Sequence, residues 1–370
     1  MHDFFLMARQ RDKMYLDILR IIAIILVVYN HTRGLLFSGD IEDAMCWWLM
    51  FQNQVVKMAV PLFFMITGAL LLHKEEKLSD LLRTRVLRMM VVIGVIAVIQ
   101  YAFYCYWKGE MFQIQHVYIM IYQQLGECNG FYAYWFLYAY VGILLMLPVL
   151  RIVAKHLTHD IFLYLIVLQF SLCCVWPVMG LLMGKYVEFS AFNYWLPFHP
   201  ESGDLPYSAG YCAFYVLMGY YLEHKVSMEE WERNKGKYFL AAMACLFGGM
   251  LSMWLAFTMA GEGFSFQKSV YLTAFLPVPC AVAYMTVKSI FLKFELGQPA
   301  RMVIAQLGGA VFTVMLIENM FRISWDSIYD QLESSVGLLG ASWIYALLIF
   351  VASVAVGVLL KHIPGFKHIL

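Results

Sequence analysis

The sequence predicts an all-α, polytopic membrane helix bundle of about ten transmembrane helices, with both termini cytoplasmic. Three observations lead there. Hydrophobic residues make up 62% of the 370-residue chain and charged residues only 14%, whereas a soluble chain keeps about a quarter of its residues charged. The apolar residues fall in continuous runs long enough for spans of about 20 residues, not in the alternating pattern of a membrane β-barrel. Basic residues, finally, crowd into alternate connecting segments, as the positive-inside rule requires of a chain that crosses repeatedly.

The apolar runs set the elements in order. They are Asp17–Leu36, Cys46–Leu72, Met89–Trp107, Phe131–Leu150 and Ile161–Leu181, then Tyr207–Leu222, Phe239–Met259, Val270–Lys288, Met302–Phe321 and Leu338–Leu360. Polar breaks with Gly or Pro separate most of them, as at Gly261-Glu262-Gly263 and Gly297-Gln298-Pro299. No internal repeat or low-complexity tract interrupts the chain, so residues 1–370 read as a single domain with a cytoplasmic N-terminal segment, 1–16. The run after Asp17 lacks a small-residue cleavage site and reads as a retained helix rather than a signal peptide.

Charge supports this topology. Twenty of the 26 basic residues fall on the side that holds the termini, among them Arg9, Arg20, Arg83, Arg85, Arg88, Lys155, Arg233 and Lys237. Five fall on the other side: Arg33, Lys108, Lys185, Lys268 and Arg322. Lys57 lies within a span. A net charge of +1 with no basic domain excludes a nucleic-acid binder. Eight cysteines, at 46, 105, 128, 173, 174, 212, 245 and 280, form no C-x-x-C pair. Most sit in apolar runs, where a thiol packs as a small hydrophobe.

Candidate chemistry concentrates in the first span, YLDILRIIAIILVVYNHT. Eleven residues of helix turn about three times plus 20°, so Arg20 and His31 share a face about 16 Å apart along the axis. His31 is the one histidine of ten placed deep in an expected span. Ionisable groups in hydrocarbon normally face a protein interior or a wet cavity. The structural alternative is a histidine satisfied by a backbone carbonyl and an arginine snorkelling to the headgroups. Asp17 stands at i−3 from Arg20, where it pairs with the guanidinium.

Asp17-x-x-Arg20 followed by His31 resembles the opening signature of the acyltransferase-three family of integral membrane acyltransferases. Val60-Pro-Leu-Phe-Phe-Met-Ile-Thr-Gly68 resembles that family's second span, and Arg83-Thr-Arg85-Val-Leu-Arg88 its basic run before the third. Tyr134-Trp-Phe-Leu-Tyr138, with Pro148 after it, resembles the fourth span, and Leu217-Met-Gly-Tyr-Tyr221 the sixth. The ordered set covers nearly the whole chain. Three positions depart from the pattern. Thr67 replaces a serine, Ala133 stands where many relatives have histidine, and Met315-Leu-Ile-Glu318 replaces a common Tyr-Leu-Ile-His in the ninth span.

The resemblance implies O-acyl transfer, usually of acetyl from acetyl-CoA, to a hydroxyl of a cell-surface glycan or its lipid-linked precursor in a bacterial cytoplasmic membrane. The expected partners are therefore the bilayer, acyl-CoA and a saccharide acceptor, with no metal. His31 is the expected base or acyl-accepting nucleophile, because imidazole moves protons near neutral pH. Arg20, on the same face about 16 Å away, and Glu318 complete the expected catalytic set; Glu318 has two candidate partners, His31 and Lys57. Arg83, Arg85 and Arg88 are the candidate CoA-phosphate cluster, with anionic lipid as the competing ligand. Trp135, Tyr138 and Trp195 are the candidate substrate-binding aromatics, and an interfacial aromatic belt accounts equally for the last. The rival function is a glycan flippase or exporter without acyl transfer, although no paired broken helices from an internal repeat are evident.

Overall fold

The structure, a computed structural model, describes residues 13–35, 43–122, 135–184, 209–260 and 274–360. Its elements among these residues are helices: α1 (Met14–Asn30), α2 (Asp43–Lys57), α3 (Ala59–Leu71), α4 (Leu78–Lys108), α5 (Ile114–Tyr122) and α6 (Trp135–His156). They continue as α7 (His159–Leu182), α8 (Ala209–His224), α9 (Met228–Ala260), α10 (Pro277–Lys293), α11 (Gln298–Ser324) and α12 (Asp326–Leu360). Among the described residues, seven candidate spans are long and apolar enough to cross a membrane: α2 with α3, α4, α6, α7, α9, α11 and α12. This is a multi-pass helical membrane protein.

The first, sixth and eighth expected spans are helices as well, of 17, 16 and 17 described residues. They are also among the most enclosed. Every residue from Tyr211 to Met218 of α8 is buried, and a helix apolar all round belongs inside its bundle. α6 and α7 show the opposite face of the same rule. Ile152 and Tyr164 remain 65% and 62% exposed, and such apolar surface is stable where the surroundings are hydrocarbon.

Two helix interruptions have covalent causes. The second expected span is split at Met58 into α2 and α3. Pro61 lacks the amide proton that would bond the Lys57 carbonyl, and its ring crowds that turn, so the helix restarts. In α12 the break falls at Gly337, whose φ of 75° and ψ of 168° suit a residue without Cβ. The eleven residues before it, 326–336, form a polar helical segment of their own.

Packing divides the chain into two compact units, neither contiguous in sequence. The first comprises Met1–Asn30, Leu35–Lys74 and Val149–Ala305; the second comprises His31–Gly34, Glu75–Pro148 and Gln306–Leu370.

In the first unit α3 and α8 touch backbone to backbone. A Cβ on Gly68 would lie 1.8 Å from the Val216 carbonyl oxygen, and one on Gly219 would lie 2.0 Å from that of Met65. The end of α3 is closed by side chains: Arg151 donates to the Leu71 carbonyl at 3.2 Å, and Nε2 of His224 lies 3.0 Å from the Ala69 carbonyl. These are the last-turn carbonyls that a helix leaves unpaired.

In the second unit α4, α11 and α12 pack together. Gln100 donates to the Leu316 carbonyl at 2.7 Å, and Gly357 leaves room for the Thr313 side chain, 3.1 Å from where a Cβ would stand. A cavity of about 340 Å³ lies among these helices, lined by Val92, Ile96, Phe103, Met320, Phe321 and Val356 among others. Ser324 is the one polar residue of its lining, so it offers no convergence of groups for acid–base chemistry.

Candidate active site

His31 is not inside a helix. The first helix ends at Asn30, and His31 opens a turn that runs into a short 3-10 segment, Arg33–Leu35. The expected span through Leu36 therefore stops earlier, and the imidazole projects from a helix end rather than a helix flank. Thr32 shapes the turn, its hydroxyl accepting from the Gly34 amide at 3.3 Å.

Nδ1 of His31 lies 2.8 Å from Oε1 of Glu318. The two side chains are 20% and 1% exposed. The imidazole, one of the two partners open to Glu318, meets its carboxylate. In the tautomer with Nδ1 protonated, the ring N–H donates to the carboxylate and Nε2 is left as the acceptor nitrogen, the arrangement that a base needs. Oε2 of Glu318 has no hydrogen-bond partner among the described residues.

Neighbouring residues of α11 and α12 extend the polar cluster. Arg322 donates to Oδ1 of Asn319 at 2.6 and 3.1 Å. The Tyr345 hydroxyl donates to the Arg322 carbonyl at 3.3 Å and lies within electrostatic reach of Asp326, Arg322, Arg33 and Glu318. Asn319, Arg322 and Tyr345 carried no signal in the sequence. Each reads there as an ordinary residue of an apolar run or its boundary.

The other candidates are placed as follows. Arg20 pairs with Asp17 at 2.6 Å, the i, i+3 contact expected of them. Arg83 and Arg88 are exposed at the start of α4, where a π-helical stretch, Leu81–Val86, widens the turn. Arg85 is half-buried and grips Glu76 at 3.1–3.2 Å through Nε and a terminal nitrogen. Trp135 begins α6 and is partly buried, and the Tyr138 hydroxyl donates to the Ile121 carbonyl at 2.7 Å. Trp195 and Ala133 lie outside the described residues. The Thr67 hydroxyl donates to the Phe63 carbonyl at 2.9 Å and is spent on its own helix.

A band of amides in the first unit also escaped the sequence reading. Gln52, Asn53 and Gln54 of α2 are each 4% exposed or less, and the Tyr29 hydroxyl donates to Gln52 at 3.0 Å. Gln54 fills the notch at Gly249, its Nε2 only 2.0 Å from where a Cβ would stand.

No curated protein and no solved structure matches the chain at significant similarity. A family model does: the acyltransferase-three model, described as an acyltransferase domain, matches residues 14–362. That match runs from the first helix, through the imidazole–carboxylate pair, to beyond α12, and the chain belongs to this family of membrane acyltransferases.

Proposed function

We propose that the protein moves an acyl group, acetyl in the simplest case, from cytoplasmic acyl-CoA to a hydroxyl of a surface polysaccharide or its lipid-linked precursor. The observation that carries this reading is the His31–Glu318 pair, a base oriented by a buried carboxylate. Nε2 of His31 takes the acceptor's hydroxyl proton while that oxygen attacks the thioester carbonyl carbon. The C–S bond then breaks, and the imidazolium returns its proton to the leaving CoA sulfur. Glu318 holds the ring and stabilises the cation formed midway, as the carboxylate of a catalytic triad does.

Donor recognition is assigned to Arg83, Arg85 and Arg88, whose side chains suit phosphate. Arg20 of α1 is assigned to the same donor. Trp135, Tyr138 and Trp195 are assigned to the saccharide, which takes aromatic faces alongside hydroxyl-bonding groups.

The test is purified protein given labelled acetyl-CoA with and without extracted cell-wall glycan. Wild type is expected to label the glycan. His31→Ala should abolish transfer, and Glu318→Gln should lower turnover by about 10²–10⁴-fold, as loss of an orienting carboxylate does elsewhere. Near-normal turnover by a well-expressed His31→Ala protein would remove His31 from the mechanism.

A further inference from the structure

Two residues beyond His31, Arg33 reaches across to the polar segment that opens α12. Its terminal nitrogens lie 2.6 Å from Asp326 and 2.7 Å from Asp330, with Glu333 at 3.9 Å. Its guanidinium carbon stands 5.0 Å from the Tyr329 ring centroid. Residues 326, 329, 330 and 333 follow the i, i+3, i+4, i+7 rule and make one helix face. That face is itself anchored, because the Tyr329 and Ser342 hydroxyls lie 2.6 Å apart across the Gly337 break.

We propose that Arg33 is a positioning residue that clamps the His31 turn onto α12 and so holds the imidazole against Glu318. The proposal rests on the reading of His31 as the reacting base. The geometry supplies the reason. A side chain projecting from a turn lacks the helix hydrogen bonds that would fix its backbone. One contact with Glu318 sets the distance of the ring but leaves the turn free to pivot about it. A second attachment, two residues away in the chain, removes that freedom.

Both attachments sit on one rigid stretch. Glu318 lies near the end of α11, and Asp326 follows after a single non-helical residue, Trp325. Trp325 continues the helical bonding, with its amide 2.8 Å from the Phe321 carbonyl and its own carbonyl 3.2 Å from the Tyr329 amide. The clamp therefore references His31 to the same body that carries its carboxylate.

Arginine suits this task better than lysine. Its planar fork reaches two carboxylates at once and stacks over an aromatic ring, which an ammonium point charge cannot do together. Stability is not a sufficient account of the cluster. Asp326 and Asp330 are 67% and 59% exposed, and ion pairs that open to solvent contribute little to folding. What they can supply is placement, where small displacements cost catalysis heavily.

The test uses the full chain in native membranes with two readouts. One is the rate at which diethyl pyrocarbonate modifies His31 at a fixed pH, followed by peptide mass spectrometry, which needs no enzymatic turnover. The other is steady-state acyl transfer, separating kcat from KM. Arg33→Ala, and independently Asp326→Asn with Asp330→Asn, should speed modification of His31 about threefold or more and lower kcat about tenfold, with KM little changed. Arg33→Lys should recover part of both effects. The aspartate variants keep the experiment decisive if Arg33→Ala folds poorly, since they alter only exposed side chains. Unchanged modification and unchanged kcat in both variants, with Glu318→Gln still speeding modification, would overturn the clamp. Absence of acyl transfer by wild type would sink the functional reading, while the modification rates would still report on the clamp.

Discussion

Glu223 and Lys288 form an ion pair with almost no water around it, their side chains 12% and 9% exposed and 2.9 Å apart. Glu223 also accepts from the Tyr15 and Tyr284 hydroxyls, and Lys288 donates to the Glu223 carbonyl at 3.2 Å. Three helices, α1, α8 and α10, thus meet on one carboxylate. Lys288→Met should destabilise the protein by about 3 kcal/mol, because it strands a buried charge. The double replacement Lys288→Met with Glu223→Gln should cost less than Lys288→Met alone. Thermal unfolding in detergent checks both; a single variant with the melting temperature of wild type would contradict the argument. This cluster was not legible in the sequence, where Lys288 reads as ordinary positive-inside charge at a span end. The Arg33 clamp was hidden for the same reason. Its partner Asp326 is 293 positions away in a polar segment, and charges there look like solvation. His31 and Glu318 were legible because an ionisable group inside an apolar run is expensive and stands out.

At the scale of elements, burial and backbone chemistry decide what the apolar pattern left open. Each of the ten expected runs overlaps a helix among the described residues, and seven candidate spans there are long and apolar enough to cross a membrane. Hydropathy could not show that the second is broken at Met58 or that the last contains a left-handed residue at Gly337. Those features depend on one missing amide proton and one missing Cβ. Nor could hydropathy separate α8, enclosed on every side, from helices with a lipid face, because both are apolar throughout. The α3–α8 contact gives a physical meaning to two glycines that entered the sequence reading only as parts of a family pattern. Close backbone approach through small residues is a main route to helix association in membranes. Alanine at Gly68 or Gly219 would force a methyl into a carbonyl oxygen at 1.8 or 2.0 Å, a clash that no side-chain rotation relieves. Each substitution should therefore sharply lower the yield of folded protein, read as monodisperse material by size-exclusion chromatography in detergent. Gly94→Ala serves as the control, since a Cβ there meets nothing within 4 Å. Equal loss in all three variants would trace the defect to helix chemistry in general rather than to this contact.

For the whole molecule, the distribution of charge bears on how the proposed donor and acceptor would reach one imidazole from different compartments. Basic residues recur at 74–88, 151–155, 225–237 and 288–301, on the side that the positive-inside rule assigns to the cytoplasm. CoA is a polyanion made in the cytoplasm, and these segments are where its phosphates would be held. From Arg20 to Asn30, α1 rises about 15 Å, and His31 follows directly. Extended, the pantetheine arm spans a distance of that order, so a thioester could be presented at the far end of α1 while its nucleotide stays in the cytoplasm. The acyl group would then cross by reaching, with no soluble carrier on the other side. The expected outcome, in vesicles of known orientation, is product when acetyl-CoA is supplied on the cytoplasmic face and a membrane-impermeant glycan on the opposite face. High salt on the cytoplasmic side should weaken donor use, because exposed arginines are screened over about 8–10 Å at physiological ionic strength and less beyond it. Product that forms only when both substrates share the cytoplasmic compartment would refute the two-sided arrangement and place acylation before export of the glycan.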